Sequence, residues 1–282
     1  MIENFEKMVS LITSEIKKEV NLAVIGLSGG ADSTLVATLC TKALGKENVF
    51  GVHMPYNQND VDTFNHKSQE LATYLGIESI TAPIHAGTDS ILANISTSSY
   101  FKGNCNISKL TNGNTRARVR MTTLYAIASI LSEKFPDKKV RVMNTCNLSE
   151  TYIGYETKWG DGVGDFYPIA ELFKSEVYQL LDYFKEQGVL NEEHIDRVPS
   201  PGLWEGHTDL DEIGYSYDEM ETYIRHNENM RLKVSHTPIG VFKFDTELNE
   251  KVTSMYNKNL HKHSSPKIIE LKGLRFNGDI IA

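Results

Sequence analysis

The apolar run Leu22-Ala23-Val24-Ile25-Gly26-Leu27 passes directly into Ser28-Gly29-Gly30-Ala31-Asp32-Ser33-Thr34 and then into Leu35-Val36-Ala37-Thr38-Leu39. That order predicts a strand, a glycine turn and a helix. Two adjacent glycines leave the turn without Cβ atoms, so several backbone N–H groups and the positive end of the following helix can face one anion. Such a junction belongs to an α/β architecture with the anion, a phosphate by preference, at the carboxyl end of the first strand. An ordinary glycine turn of an α/β protein would share this local pattern, and the remaining segments have to separate the two.

The loop is not the common phosphate loop GxxxxGK[ST], because Asp32 stands where that pattern needs a lysine. A carboxylate beside a polyphosphate is repulsive unless a divalent cation lies between them, which implies Mg²⁺ bridging Asp32 to phosphate oxygens. The hydroxyls of Ser28, Ser33 and Thr34 complete the expected cradle. The pattern SGGxDS resembles the pyrophosphate-binding loop (PP-loop) of ATP pyrophosphatases, enzymes that cleave ATP between its α and β phosphates.

Apolar residues at Ile2, Phe5, Val9, Ile12, Ile16 and Val20 keep helical spacing and predict an amphipathic helix over residues 2–20. Behind the glycine loop, strands are predicted at Val49–Met54 and Ile77–Thr81, with a helix at Val61–Leu75 that stops at Gly76. A long helix over Thr115–Phe135, halted by Pro136, leads to a fourth strand at Val140–Asn144. Strands alternating with helices imply a parallel sheet with helices on both faces, in one domain. Residues 147–168 lack periodicity and are rich in Gly, Tyr, Asp and Thr, which points to a functional or locally structured segment. Helical patterns return at Lys174–Gln187 and Leu248–His261, and no repeat or interdomain linker breaks the chain.

With 282 residues, 40% hydrophobic and 23% charged, the chain has the composition of a globular protein. A formal charge of −8 argues against a broad nucleic-acid footprint. Cys40, Cys105 and Cys146 are odd in number and lack CxxC spacing, which disfavours a disulfide framework and a zinc site. No apolar stretch approaches the roughly 18 residues that span a bilayer, and the N-terminus begins with acids, so a cytoplasmic protein is expected.

Four further segments carry a more specific resemblance. They are Gly113-Asn114-Thr115-Arg116-Ala117-Arg118-Val119-Arg120-Met121; Asn147-Leu148-Ser149-Glu150 running on to Gly154-Tyr155-Glu156-Thr157-Lys158-Trp159-Gly160-Asp161; Asp165-Phe166-Tyr167-Pro168-Ile169 with Leu172 and Lys174; and Pro199-Ser200-Pro201-Gly202-Leu203-Trp204-Glu205-Gly206-His207-Thr208-Asp209, with His261-Lys262 near the end. Taken in order, these resemble the NAD synthetases over residues 22–266. The resemblance implies an adenine nucleotide alpha-hydrolase-like (Rossmann-like) fold, with a PP-loop core over 22–186, a mobile lid over about 198–215 and a C-terminal helix and tail over 248–282.

By that resemblance, ATP is bound by Gly26, Leu27, Ser28, Gly29, Gly30, Ala31, Asp32, Ser33, Thr145, Lys174 and Ser200. Deamido-NAD is bound by Arg118, Lys158, Asp165, His261 and Lys262. Asp32 and Glu150 hold Mg²⁺, and Asp32 with Lys174 form the catalytic pair. Read from spacing alone, Arg116, Arg118 and Arg120 diverge around a helix and cannot all face one ligand. His261 and Lys262 at a helix C-terminus also suit the macrodipole without any ligand.

The implied reaction is amidation of the nicotinate carboxylate of deamido-NAD by ammonia. The carboxylate attacks the α-phosphorus of ATP, an acyl-adenylate forms, and AMP later departs as a good leaving group. With about 20 residues ahead of the first strand there is no room for an N-terminal amidase, so free ammonia is the expected nitrogen source. Family members are homodimers, and the leading helix and the arginine helix are plausible contributors to that interface. Two other readings stay open: another PP-loop ATP pyrophosphatase, amidating a purine nucleotide or modifying tRNA, and a non-catalytic ATP-binding module. The chain departs from the family at Ala31, the variable loop position, at His207 in the lid, and at Ser265 after His261-Lys262.

Overall fold

Strand β1 (Leu22–Gly26) is buried on both faces, and its alternation separates two cores. Ala23 and Ile25 point into one apolar cluster, while Leu22 and Val24 point into another. A strand sandwiched in this way must read as a continuous apolar run, as this one does. The computed structural model describes residues 2–56, 58–101, 105–195, 209–232 and 246–263.

Beside β1 lie β2 (Val49–His53), β3 (Glu78–Thr81) and β4 (Val140–Met143), in the order β3-β2-β1-β4 and all parallel. Ile25 pairs with Gly51 on one side and with Met143 on the other. Helices α1 (Phe5–Glu19), α2 (Ala31–Leu44) and α7 (Lys174–Glu186) cover one face through Ile16, Leu35, Leu39, Leu180 and Phe184. Helix α5 (Lys109–Lys134) covers the other through Ala128 and Leu131, next to α4 (His85–Ser96). The expected parallel sheet with helices on both faces is therefore present.

Some boundaries differ from the sequence expectation for identifiable reasons. Helix α5 begins at Lys109 rather than Thr115, because the Ser108 hydroxyl accepts from Thr111 N at 3.1 Å and caps a turn that carries the chain through Gly113 and Asn114. Helix α3 (Gln58–Leu75) also starts earlier than Val61. A short helix α6 (Leu148–Ile153) lies inside the stretch that has no periodicity, closed at its C-terminus by Gly154 with φ +67°. Helices α4, α8 (Asp209–Ile213) and α9 (Tyr217–Leu232) were not anticipated. α9 is too densely charged for its apolar stripe to stand out.

A third apolar cluster joins α6, α8, α9 and α10 (Thr246–His263) through Ile153, Ile213, Met220, Ile224, Leu248 and Val252. This layer sits on α6 and on the start of α7, so the C-terminal helices bear on the residues that follow β4. The chain leaves β1 toward β2 on one side, and β4 lies on the other. The loops after β1 and β4 thus diverge from a topological switch point, where open α/β sheets form their ligand crevice.

Candidate active site

The turn at the end of β1 is built by Gly29, whose φ of +72° is a conformation that L side chains rarely adopt. Gly30 N-caps α2 without any side-chain cap bond. The first N–H groups of α2 therefore have no side chain closing them off, and they carry the positive end of the helix dipole. The hydroxyls fold inward around the turn: Ser28 Oγ accepts from Gly30 N at 3.2 Å, Ser33 Oγ donates to Gly30 O at 3.0 Å, and Thr34 Oγ1 donates to the same carbonyl at 2.9 Å.

Asp32 leaves the first turn of α2 and meets residues from the far side of the switch point. Lys174, the first residue of α7, places its Nζ 2.5 Å from Asp32 Oδ2 and 3.0 Å from Oε1 of Glu150 in α6. Asn147 holds the arrangement from below. Its Nδ2 donates to Asp32 Oδ1 at 3.0 Å while its Oδ1 accepts from Glu150 N at 3.0 Å, so one side chain caps α6 and orients Asp32.

Burial alone would lower the Lys174 pKa, but Asp32 and Glu150 together outweigh it and hold the ammonium well above its usual value. Burial pushes the Glu150 carboxyl up; Lys174 opposes the rise, and Asp32 and Asp209 add to it. Tyr217 OH donates to Asp209 Oδ2 at 2.6 Å and lies 3.2 Å from Glu150 Oε1, and its ring sits 5.5 Å from the Lys174 ammonium. Burial, with Glu150 and Asp209, raises its pKa, so the phenol remains a donor.

The chemistry of this donor set suits a divalent cation. Two carboxylates from opposite sides of the crevice already share one positive group, and among the described residues no third acid, histidine or cysteine joins them in a metal cluster. That is the sparse protein contribution Mg²⁺ takes when phosphate oxygens and water complete its shell.

A second group gathers where α5, the Gly154–Gly160 loop and α10 meet. Arg118 is exposed and its Nε donates to Lys158 O at 3.2 Å, while Lys158 Nζ donates to the carbonyl of His261. Lys262 Nζ donates to Gly154 O at 2.5 Å and Glu156 O at 2.6 Å. Burial lowers the Lys262 pKa, with Glu156 and Asp161 opposing. Asp165 stands apart, at the edge of β4. Its carboxylate accepts from Val142 N at 2.8 Å and from Tyr125 OH at 3.1 Å, and burial together with Asp165 pushes the Tyr125 phenol up to about 12.

The three alternating arginines diverge as the helical spacing requires. Arg116 is buried against the Tyr56 ring at 4.2 Å, and Arg120 Nε donates to Met54 O at 3.2 Å, which leaves Arg118 exposed beside Lys158. Thr145 is half-buried in the loop after β4. Ser200, His207, Ser265 and the tail 267–282 lie outside the described residues, as does most of the expected lid; its end at Asp209–Ile213 is helix α8. Asn147, Asp209, Tyr217, Ser149 and Glu221 were not singled out as site residues from sequence. Asn147, Ser149 and Asp209 lie inside the segments that carry the resemblance, and Asn147, immediately before an apolar helical start with Glu150 three positions on, also has the pattern of a cap; Tyr217 and Glu221 carried no signal.

The NAD synthase family model matches residues 4–266 of this chain. The NH(3)-dependent NAD(+) synthetase of Methanosarcina acetivorans is 36% identical over 276 residues, covering 95% of this chain and 99% of that protein. That of Pyrococcus horikoshii is 37% identical, covering 94% and 95%. Among solved structures, an NMN synthetase from Francisella tularensis superposes with a TM-score of 0.74 at 26% identity, covering 95% of this chain and 99% of that one. An NH3-dependent NAD synthetase from Campylobacter jejuni does so with a TM-score of 0.68 at 31% identity, covering 94% and 97%.

Proposed function

Because this chain belongs to the NAD synthase family, we propose that it amidates the nicotinate carboxylate of deamido-NAD with ammonia, consuming ATP and releasing AMP and diphosphate. The observation that carries the proposal is the meeting of Asp32, Glu150 and Lys174 at the mouth of the glycine turn. ATP rests its phosphates on the N-terminus of α2, and Gly26–Ser33, Thr145, Lys174 and Ser200 form its site. The acceptor lies along Arg118, Lys158, Asp165, His261 and Lys262.

A carboxylate is a poor electrophile, since its leaving group would be oxide. Its oxygen instead attacks the α-phosphorus, and the acyl-adenylate exposes a carbonyl that ammonia can attack with AMP departing. Asp32 and Glu150 are the residues that would hold Mg²⁺, which would supply charge neutralisation for the phosphates. Lys174 and the α2 N–H groups face the negative charge that grows on departing diphosphate, as preorganised donors in a partly dry crevice. Much of the remaining acceleration comes from holding two anionic substrates in line.

Free ammonia is the nitrogen source in this proposal, in keeping with the names of the M. acetivorans and P. horikoshii relatives. We include a homodimer working in the cytoplasm, without nucleic-acid partners. The exposed Ile91, Ile95, Leu110 and Ile130 on α4 and α5 supply apolar surface that a second copy would cover. No helix among the described residues is long and apolar enough to cross a membrane.

The fold likeness to an NMN synthetase raises a second acceptor, the mononucleotide nicotinate, on the same activation chemistry. One experiment separates the readings. The purified protein is given ATP and Mg²⁺ with deamido-NAD or nicotinate mononucleotide, and with ammonium or glutamine as the nitrogen source. NAD from deamido-NAD and ammonium, with AMP, is the expected product. Faster turnover of the mononucleotide would shift the acceptor assignment, and glutamine use would overturn the nitrogen assignment.

A further inference from the structure

Helix α9 turns one polar stripe toward the start of α7, made of residues four apart: Tyr217, Glu221 and Arg225. Tyr217 reaches Glu150 and Asp209, as described above. Glu221 is almost fully buried at 3% exposure, and it spends both oxygens on the two short segments that carry the ion pair. Its Oε1 accepts from Ser149 Oγ at 2.7 Å and from Ser175 N at 3.1 Å, and its Oε2 accepts from Ser175 Oγ. Arg225 Nη2 lies 2.9 Å from Glu176 Oε1, with its guanidinium 3.7 Å over the Phe173 ring.

These contacts close the first turn of α7 completely. Phe173 N donates to Glu176 Oε2 at 3.0 Å, Lys174 N to Ser149 Oγ at 3.0 Å, and Ser175 N to Glu221. Every one of those N–H groups would otherwise be an orphan of the helix start. Ser149 and Glu150 are neighbours in α6, and Lys174 and Ser175 are neighbours in α7. Glu221 therefore bonds to residues directly adjacent to both halves of the Lys174–Glu150 ion pair.

We propose that Glu221, at the centre of this α9 stripe, is a positioning residue that fixes Lys174 against Glu150 and Asp32 for the activation of the acceptor carboxylate. It touches neither substrate nor reacting atoms in this account. It acts by denying α6 and α7 the freedom to slide past each other. The inference deepens the proposed amidation and rests on that reading for its kinetic consequence, whereas its structural consequence stands independently.

The test compares Glu221→Ala and Glu221→Gln with the unaltered protein. Gln can keep its amide oxygen on Ser149 and Ser175 N while its NH₂ turns to Ser175 Oγ, whereas Ala cannot replace any of these bonds. A misplacement of this kind costs about 100-fold in turnover. The expected result is that Glu221→Ala loses about 30- to 100-fold in kcat per folded molecule with the KM for the dinucleotide changed by less than about threefold, and that Gln recovers most of the loss. Amide hydrogen exchange provides the readout that needs no activity: Lys174 and Ser175 lose protection in Glu221→Ala while the β1 amides keep theirs.

Should Glu221→Ala fail to fold, Ser149→Ala, which removes the bond of Glu221 to α6 together with the Lys174 N bond to Ser149 Oγ, replaces it in both measurements, with exchange read at Ser175 alone. Wild-type kcat in a folded Ala variant, a loss confined to KM, a Gln variant no better than Ala, or unchanged exchange at Lys174 and Ser175 would each overturn the inference. An unaltered protein that does not amidate the dinucleotide would instead fault the function, and the exchange experiment would still decide the positioning role.

Discussion

Replacing Lys174 by Met removes the ammonium and keeps a side chain of similar reach. In the intact site Nζ lies 2.5 Å from Asp32 and 3.0 Å from Glu150, with side-chain exposures of 6% for the lysine and 17% for each carboxylate. At an effective dielectric near 20, the two contacts contribute about 7 and about 5.5 kcal/mol of attraction, from which desolvation of the ammonium takes back a large part. Deleting one partner of such a buried set costs about 3–5 kcal/mol, because Asp32 and Glu150 then face each other without a counterion. For a chain of this size that lowers the melting temperature by about 5–8 °C in the absence of nucleotide and metal.

On the proposed role of Lys174, a separate loss of about 100- to 1,000-fold in kcat is expected from the missing donor opposite departing diphosphate. The two effects separate in a double variant. Adding Glu150→Gln to Lys174→Met relieves the like-charge contact, so calorimetry should recover most of the melting temperature while steady-state NAD formation stays low. Turnover that returns together with stability would show that Lys174 merely holds the crevice shut and would refute its role in the chemistry. So would a Lys174→Met variant with near-normal kcat.

Three further outcomes are expected. Asp32→Ala folds, as judged by circular dichroism, but loses about 1,000-fold or more in turnover, and near-normal activity would remove the metal assignment. Arg118→Ala raises the KM for deamido-NAD about tenfold and leaves kcat within about threefold; an unchanged KM would return this exposed arginine to the solvated surface. The third outcome concerns pH. His53 is fully buried between Ser68 and Ser79, each 2.8 Å from a ring nitrogen, and burial lowers its pKa. Its neutral form is the folded one, so stability is at its full value above the unfolded pKa of about 6.5. It falls as pH drops toward the lowered folded value, with a slope of up to about 1.4 kcal/mol per pH unit. His53→Gln should flatten that slope in urea titrations at pH 5 to 7, and an equal slope in both proteins would contradict it.

The parallel sheet was legible because β1 is buried on both faces and therefore had to be an uninterrupted apolar run. The glycine turn was legible because few residues other than Gly29 tolerate its backbone there. Asp32 and Glu150 could be paired in advance because both follow strands of a parallel sheet, and such sheets put the ends of all their strands on one side. The contribution of α9 was not legible. Its stripe of Tyr217, Glu221 and Arg225 is polar, and a buried carboxylate in a charged helix looks like a solvated one until Ser149 and Ser175 are brought to it from far along the chain. Asp165 shows the converse case: its segment was noticed, while its bonds to Val142 and Tyr125 could not be foreseen without the edge of β4.

Adenylation at the α-phosphorus moves one carboxylate oxygen of the acceptor onto AMP, and oxygen transfer therefore reports it. Deamido-NAD labelled with ¹⁸O in its nicotinate carboxylate is converted with ATP and ammonium, and the products are weighed by mass spectrometry. One labelled oxygen in the phosphate of AMP is the predicted result. Label in orthophosphate with ADP as the nucleotide product, or no label in any phosphorus-containing product, would contradict the account.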